Sequence, residues 1–200
     1  MTKLARWDFL QSLIDRYGFT RYLEIGAQKG KTFARLRCQH KVGVDVNPGA
    51  ATLVMPSDDF WRGNEEQFDL IFIDGLHERP QVLRDVAGAL RCLSSGGIVV
   101  LHDCNPPAER RQVVPSPGYG GWNGDVWKAF VELRTRPDLD CACGDFDQGC
   151  GVVLPRPNSD PLTLPLTPAD LHWLDLVRYR GRWLRLLDVD KLVDWIGDRT

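Results

Sequence analysis

A short apolar run, Tyr22-Leu23-Glu24-Ile25, breaks into Gly26-Ala27-Gln28-Lys29-Gly30, and a second run, Val42-Gly43-Val44, stops at Asp45. The acid falls 19 residues after Gly26. One strand ending in a glycine turn beside another ending in an acid defines the carboxyl edge of a parallel sheet, where a nucleotide-type ligand binds. The glycines allow close approach of backbone to ligand. The acid can accept hydrogen bonds from a ribose diol. Together these residues point to an adenosine-containing cofactor.

The rest of the chain alternates in the way such a sheet needs. Leu10, Leu13, Ile14 and Tyr17 recur at helical spacing ahead of the first strand, and a helix is expected from about Lys31, carrying Phe33, Leu36 and Arg37. Residues 50–67 hold a brief strand near Leu53-Val54-Met55, a short helix and a loop. Phe68-Asp69-Leu70-Ile71-Phe72-Ile73-Asp74 reads as a strand buried on both faces. Val82, Leu83, Val86, Leu90 and Leu93 make an amphipathic helix that Gly96-Gly97 ends, and Ile98 to Leu101 is a further buried strand closing at His102-Asp103. The expected fold is α/β: a Rossmann-like, seven-stranded, mostly parallel sheet with helices on both faces, its antiparallel strand near 151–155. A Pro- and Gly-rich lid spans 105–124, a helix starts at Asp125, and residues 139–143 pair with 151–154.

Residues 1–157 form this domain, and Pro155 to Pro161 reads as a linker to a helical tail, residues 158–200. In the tail, Thr167-Pro168-Ala169-Asp170 has the composition of a helix start, and a last helix covers about 188–197. Trp173, Trp183 and Trp195 would pack on the same domain or on a second copy of the chain. Arg178, Arg182 and Arg185 could share one solvated face.

At a formal net charge of −2 and a pI near 6.1 the chain has no general attraction for nucleic acid or an anionic membrane. No apolar run approaches the roughly 18 residues of a membrane span. The first 13 residues mix Lys3, Arg6 and Asp8 with apolar ones, unlike a signal peptide. Six scattered cysteines suit buried thiols in a reducing compartment, so a cytoplasmic location is expected; Cys141, Cys143 and Cys150 match no standard zinc spacing.

Three glycine-loop chemistries compete. A P-loop needs one residue more than Gly26 to Thr32 provides. A dinucleotide loop, as in an NAD-linked oxidoreductase, needs glycine where Gln28 stands. The pattern E-x-G-x-x-x-G, here Glu24 to Gly30, resembles the first motif of class I S-adenosylmethionine-dependent methyltransferases. The likeness continues through Phe68 to Asp74, which is similar to that family's fourth-strand motif, and through Leu93-Ser94-Ser95-Gly96-Gly97, similar to its L-x-P-G-G lead-in with Ser95 for proline. Asp74-Gly75-Leu76-His77, His102-Asp103-Cys104-Asn105-Pro106 and Trp122 to Trp127 resemble a small bacterial group with I-D-G-x-H and H-D-C-x-P motifs, related to metal-dependent catechol-type O-methyltransferases.

The resemblance implies that Glu24, Gly26, Ala27, Gly30, Asp45, Ser57, Asp58 and Asp74 surround S-adenosyl-L-methionine. It implies a divalent cation, Mg²⁺ or Mn²⁺, on Asp74 and Asp103, with Asn105 or His102 in place of the family's asparagine, which is Cys104 here. The position of the catechol-type catalytic lysine is His77, the leading candidate base, so the candidate catalytic residues are His77, Asp74 and Asp103. The implied acceptor is a small-molecule hydroxyl, on a sugar or a natural-product intermediate, with Trp122 and Tyr119 as a candidate aromatic wall. Plainer readings stay open: Asp74 as a helix cap, His77 as a surface loop residue, His102 as a packed side chain, Asp103 as a partner of the cofactor without metal, Glu24 as a support of the loop, Asp45 as a turn residue. A non-catalytic nucleoside-binding protein also stays open.

Overall fold

A computed structural model describes residues 4–118 and 120–197. The sheet order is β3-β2-β1-β4-β5-β7-β6-β8. Its parallel half is β1 (Arg21–Ile25), β2 (His40–Asp45), β3 (Leu53–Val54), β4 (Phe68–Ile73) and β5 (Leu93–Leu101). β6 (Asp140–Gly144) and β7 (Cys150–Leu154) form a hairpin, and β7 inserts antiparallel beside β5. The antiparallel strand lies where the sequence puts it. The difference is one extra strand, β8 (Leu186–Leu187), which the tail lays parallel on β6. It covers a sheet edge that would otherwise present unpaired backbone groups.

Strand alternation divides the core into two layers. On one face Leu23, Ile25, Ile71, Ile73, Val99 and Leu101 pack under α2 (Ser57–Gly63), α3 (Arg79–Arg91), α4 (Val126–Leu133) and α5 (Trp173–Leu184). On the other, Tyr22, Leu70, Phe72, Val100 and Val152 pack under α1 (Arg6–Tyr17) and α6 (Val189–Ile196). The tail therefore packs on its own domain: Trp183 and Leu184 enter one layer, Leu192 and Ile196 the other. No helix among the described residues is long and apolar enough to cross a membrane.

Three expectations need correction. No helix follows β1; residues 31–35 form turns only. The side chain of Lys41 donates to the carbonyls of Phe33 and Leu36, both at 2.8 Å, so these acceptors are engaged away from a helical ladder. Gly96-Gly97 does not end α3; that helix stops at Arg91, and both glycines lie inside β5, whose register against β4 shifts between Phe68 and Leu70. In the tail, Pro168–Asp170 is a single 3₁₀ turn, and α5 begins later, where the Asp175 carboxylate accepts from the His172 amide at 2.9 Å.

Candidate active site

The glycine turn is dictated by contact with β4. Gly26 has φ +90°, and a Cβ there would lie 2.1 Å from the carbonyl oxygen of Asp74. Only glycine lets the turn sit so close. The amides of Gly26 and Ala27 both donate to the Val44 carbonyl, at 2.8 and 3.3 Å, tying the loop to the end of β2. Asp45 then grips the loop: Oδ2 accepts from the Gln28 amide at 2.9 Å and Oδ1 from the Asn47 amide at 2.8 Å. A carboxylate has roughly four lone-pair directions, so capacity remains for a ligand.

A cavity of about 410 Å³ opens over these strand ends, lined by Gly26, Asp45, Ser57, Asp74, Gln81 and Trp122 among others. Four residues expected at the cofactor, Gly26, Asp45, Ser57 and Asp74, thus share one cavity. The other four are not among its lining residues. Ala27 is buried. The Gly30 amide donates to the Ala27 carbonyl at 2.8 Å, and a Cβ on Gly30 would meet that of Ala50 at 2.5 Å. Asp58 accepts from Gln81 and pairs with Arg84, at 3.1 and 3.2 Å. Glu24 is buried beneath the loop, where Oε2 accepts the Tyr22 hydroxyl at 2.5 Å. Burial pushes its carboxyl up to about 8, and the Tyr22 hydroxyl offsets part of that rise.

At the same sheet edge Asp74 follows β4 and His102-Asp103 follow β5. Asp103 has φ +61°, an uncommon conformation for a non-glycine residue at a strand end. Asp74 Oδ1 lies 3.2 Å from His77 Nε2 and 3.3 Å from His102 Nδ1. Asp103 completes the ring, with Oδ2 at 3.1 Å from His77 Nδ1 and Oδ1 at 3.3 Å from His102 Nδ1. Asp74, His77, Asp103 and His102 are therefore brought together. Asn105 does not join them: its amide donates to Asp145 at 3.0 Å, and its oxygen accepts from Arg180. Cys104 turns into the core, fully buried, and burial pushes its thiol well up. Tyr119 lies outside the described residues, whereas Trp122 stacks on His77 with ring centroids 5.3 Å apart.

The electrostatics are mutually reinforcing. Burial opposes ionisation of Asp74, but His102 and His77 outweigh it and hold the carboxyl well below the usual carboxylate range. Burial likewise opposes charge on both histidines. For His77, the hydrogen bond to Asp74 and the charges of Asp103 and Asp74 prevail and raise its proton affinity. For His102, the charges of Asp74 and Asp103 do the same, more strongly. His77 Nδ1 also faces the Trp122 carbonyl at 2.9 Å. With acceptors at both nitrogens, His77 is a strong base whose protonated form is favoured in this arrangement.

The sequence did not single out Arg6, Asp147 or Asn123 as site residues, yet all three reach the cluster. Arg6, at the start of α1, has Nε at 3.7 Å from Asp74 and 2.9 Å from the Thr32 hydroxyl. Its backbone amide and Nη1 contact Asp147 Oδ2 at 2.7 and 3.3 Å. Asp147, on the β6–β7 turn, approaches His102 Nε2 at 3.7 Å and helps line a second cavity of about 390 Å³ with Trp7, Pro107 and Arg111. Asn123 Nδ2 donates to Asp103 Oδ1 at 2.6 Å. These residues come from distant, non-periodic segments. Only Asn123 lies in a stretch with its own signature, Trp122 to Trp127.

The donor set suits a divalent cation. One atom each from Asp74, His102 and Asp103 can be chosen so that all lie within 4.8 Å of one another. Both ring nitrogens of His102 are buried and face carboxylates at 3.3–3.7 Å without hydrogen-bond geometry, and the side-chain oxygen of Asn123 is buried with no hydrogen-bond partner among the described residues. Buried polar atoms left so are costly, and a cation among them would satisfy several at once.

Comparison with known proteins places this arrangement. Residues 40–104 match a family model described as a methyltransferase domain. No curated protein sequence matches the chain. Among solved structures, the Podospora anserina methyltransferase PaMTH1 bound to SAH is 18% identical, with a TM-score of 0.58 over 80% of each chain. The Bacillus cereus O-methyltransferase in complex with SAH is 16% identical, with a TM-score of 0.54 over 76% of this chain and 82% of that one. The Streptomyces achromogenes O-methyltransferase TomG, involved in tomaymycin synthesis and in complex with SAM, is 18% identical, with a TM-score of 0.53 over 76% and 79%. The chain thus has the fold of these three methyltransferases, and residues 40–104 are similar to a methyltransferase domain.

Proposed function

We propose that this protein transfers the methyl group of S-adenosylmethionine to a hydroxyl of a small molecule, a sugar or a natural-product intermediate, with a divalent cation at the acceptor. The observation that carries the reading is the double membership of Asp74, which lines the adenosine-sized cavity and also belongs to the cluster with His102 and Asp103. Cofactor and acceptor chemistry thereby meet at one carboxylate. O-methyltransferases of the same fold, one of them acting in tomaymycin synthesis, support a hydroxyl acceptor.

Methyl transfer from a sulfonium is an in-line displacement, so the protein must align donor and acceptor and make the oxygen nucleophilic. S-adenosylmethionine supplies a methyl on a good leaving group, and a divalent cation, Mg²⁺ or Mn²⁺, held by Asp74, Asp103 and His102 would stabilise the deprotonated hydroxyl. Asp45 holds the ribose and fixes the loop beneath it. His77, once it has lost its own proton, would take that of the acceptor, and Asp74 and Asp103 on either side would stabilise the resulting imidazolium. Trp122 covers His77 and limits access of water.

Isothermal titration tests the cofactor assignment. S-adenosylhomocysteine is expected to bind saturably, NAD to give no heat, and Asp45→Ala to weaken S-adenosylhomocysteine at least about tenfold, the loss of roughly 1.4 kcal/mol or more. Binding of NAD without S-adenosylhomocysteine would overturn the reading in favour of a dinucleotide enzyme.

A further inference from the structure

The lid brings a ligand to the cluster that chain order conceals. In the catechol-type pattern an asparagine directly follows the second aspartate; here that position is Cys104, whose thiol lies in the core 3.7 Å from the His102 carbonyl and 3.9 Å from that of Leu101. An asparagine nonetheless stands at the cluster. Asn123 is completely buried, and Nδ2 donates to Asp103 Oδ1 at 2.6 Å. Its other polar atom, Oδ1, has no hydrogen-bond partner among the described residues. A buried amide oxygen left in that state costs roughly 1–3 kcal/mol. It sits one amide width from a nitrogen that already touches a candidate ligand.

The backbone around Asn123 is fixed for the purpose. The amides of Asn123 and Gly124 both donate to the Arg111 carbonyl, at 2.8 and 3.0 Å, and the Asp125 amide donates to the His77 carbonyl at 3.1 Å. Gly124 has φ +57°, and a Cβ there would lie 1.7 Å from that same His77 carbonyl oxygen. The end of the lid is thus locked against the loop that carries His77.

We propose that Asn123 Oδ1 is a protein ligand of the divalent cation, joining Asp74, Asp103 and His102 and taking the place of the asparagine missing at position 104. This rests on the cation site of the proposed function. A hard cation prefers oxygen donors, and an amide oxygen adds a donor without adding charge.

Mn²⁺ titration of the whole protein, followed by loss of the free-ion electron paramagnetic resonance signal, tests the assignment without any acceptor. S-adenosylhomocysteine titration of the same samples reports fold and cofactor site separately. Asn123→Ala is expected to weaken Mn²⁺ at least about tenfold, the scale lost when even an outer partner of a metal ligand is removed, with S-adenosylhomocysteine affinity unchanged. Asn123→Asp keeps an oxygen and loses the donor to Asp103, so it is expected to retain Mn²⁺. Unchanged Mn²⁺ affinity in Asn123→Ala would refute the proposal while leaving the site on Asp74 and Asp103 standing. Equal loss in both variants would make Asn123 a positioning residue for Asp103 and refute it as a ligand. Wild-type protein that takes S-adenosylhomocysteine but no Mn²⁺ would remove the cation site and the proposal together. If Asn123→Ala fails to fold, Asn123→Asp decides alone: retained Mn²⁺ supports the ligand role and loss refutes it.

Discussion

At the residue scale, Glu24 shows that a motif residue can be buried and paired within its own strand rather than at the cavity. It is 2% exposed, and burial pushes its carboxyl up to about 8 from an ordinary value near 4.5. An acid whose pKa rises on folding holds its proton in the native state after the unfolded chain has released it. Its contribution is therefore intact below the unfolded value, falls as pH climbs, and levels off above about 8. Glu24→Gln keeps an acceptor for the Tyr22 hydroxyl and removes the titration. The variant is expected to be more stable than wild type at alkaline pH by a few kcal/mol and nearly equal to it in mild acid. Urea unfolding from about pH 5 to about pH 9 checks this; parallel curves for the two proteins would show that Glu24 is charged when folded.

At the element scale, legibility followed periodicity. Leu70 to Ile73 in β4 and Ile98 to Leu101 in β5 are apolar runs followed by Asp74 and by His102-Asp103, so both acids could be placed at one edge from residue order alone. The stretch after Gly30 misled because Phe33 and Leu36 fall at helical spacing while Lys41, from β2, takes their carbonyls. Arg6, Asp147 and Asn123 were not legible as site residues, because their convergence depends on how α1, the β6–β7 turn and the lid fold back on the sheet. Gly88 is similarly silent in sequence. In α3 a glycine costs about 1 kcal/mol against alanine, so helix propensity alone favours Gly88→Ala. The packing argues the reverse: a Cβ at Gly88 would lie 2.3 Å from the Trp61 ring. That ring cannot yield freely, since Trp61 Nε1 donates to the buried Asp85 at 2.9 Å. Overpacking costs roughly 1–3 kcal/mol, so Gly88→Ala is expected to lower the stability, seen as a drop in urea midpoint. A rise would mean that α2 slides away from α3 without penalty.

At the scale of the whole molecule, one carboxylate adds a polar tie between the tail and the sheet to their packing and to the β6–β8 pairing. Asp140, at the start of β6, is 1% exposed. It accepts from Arg156 at 2.9 Å, from Arg185 at 3.0 Å and from the Ser159 hydroxyl at 3.0 Å. Arg156 in turn donates to the carbonyls of Ile196 and Trp195, at 3.1 and 2.9 Å, at the end of α6. The linker, the end of α5 and the end of α6 thus converge on a single buried charge. Removing one partner of a buried ionic network costs more than the network itself contributes, because the remaining charges lose their compensation. Here the two arginines keep some solvent, at 33% and 22% side-chain exposure, which moderates the loss. Asp140→Ala is expected to cost roughly 3 kcal/mol and to loosen the tail ahead of the rest of the sheet. Thermal unfolding should report the lower stability. Limited proteolysis should report the order of events, with new cleavage between residues 155 and 172 while S-adenosylhomocysteine still binds. Unchanged proteolysis with a lowered melting temperature would mean that the tail and the sheet open as one cooperative unit, and that Asp140 stabilises the whole molecule rather than the seam.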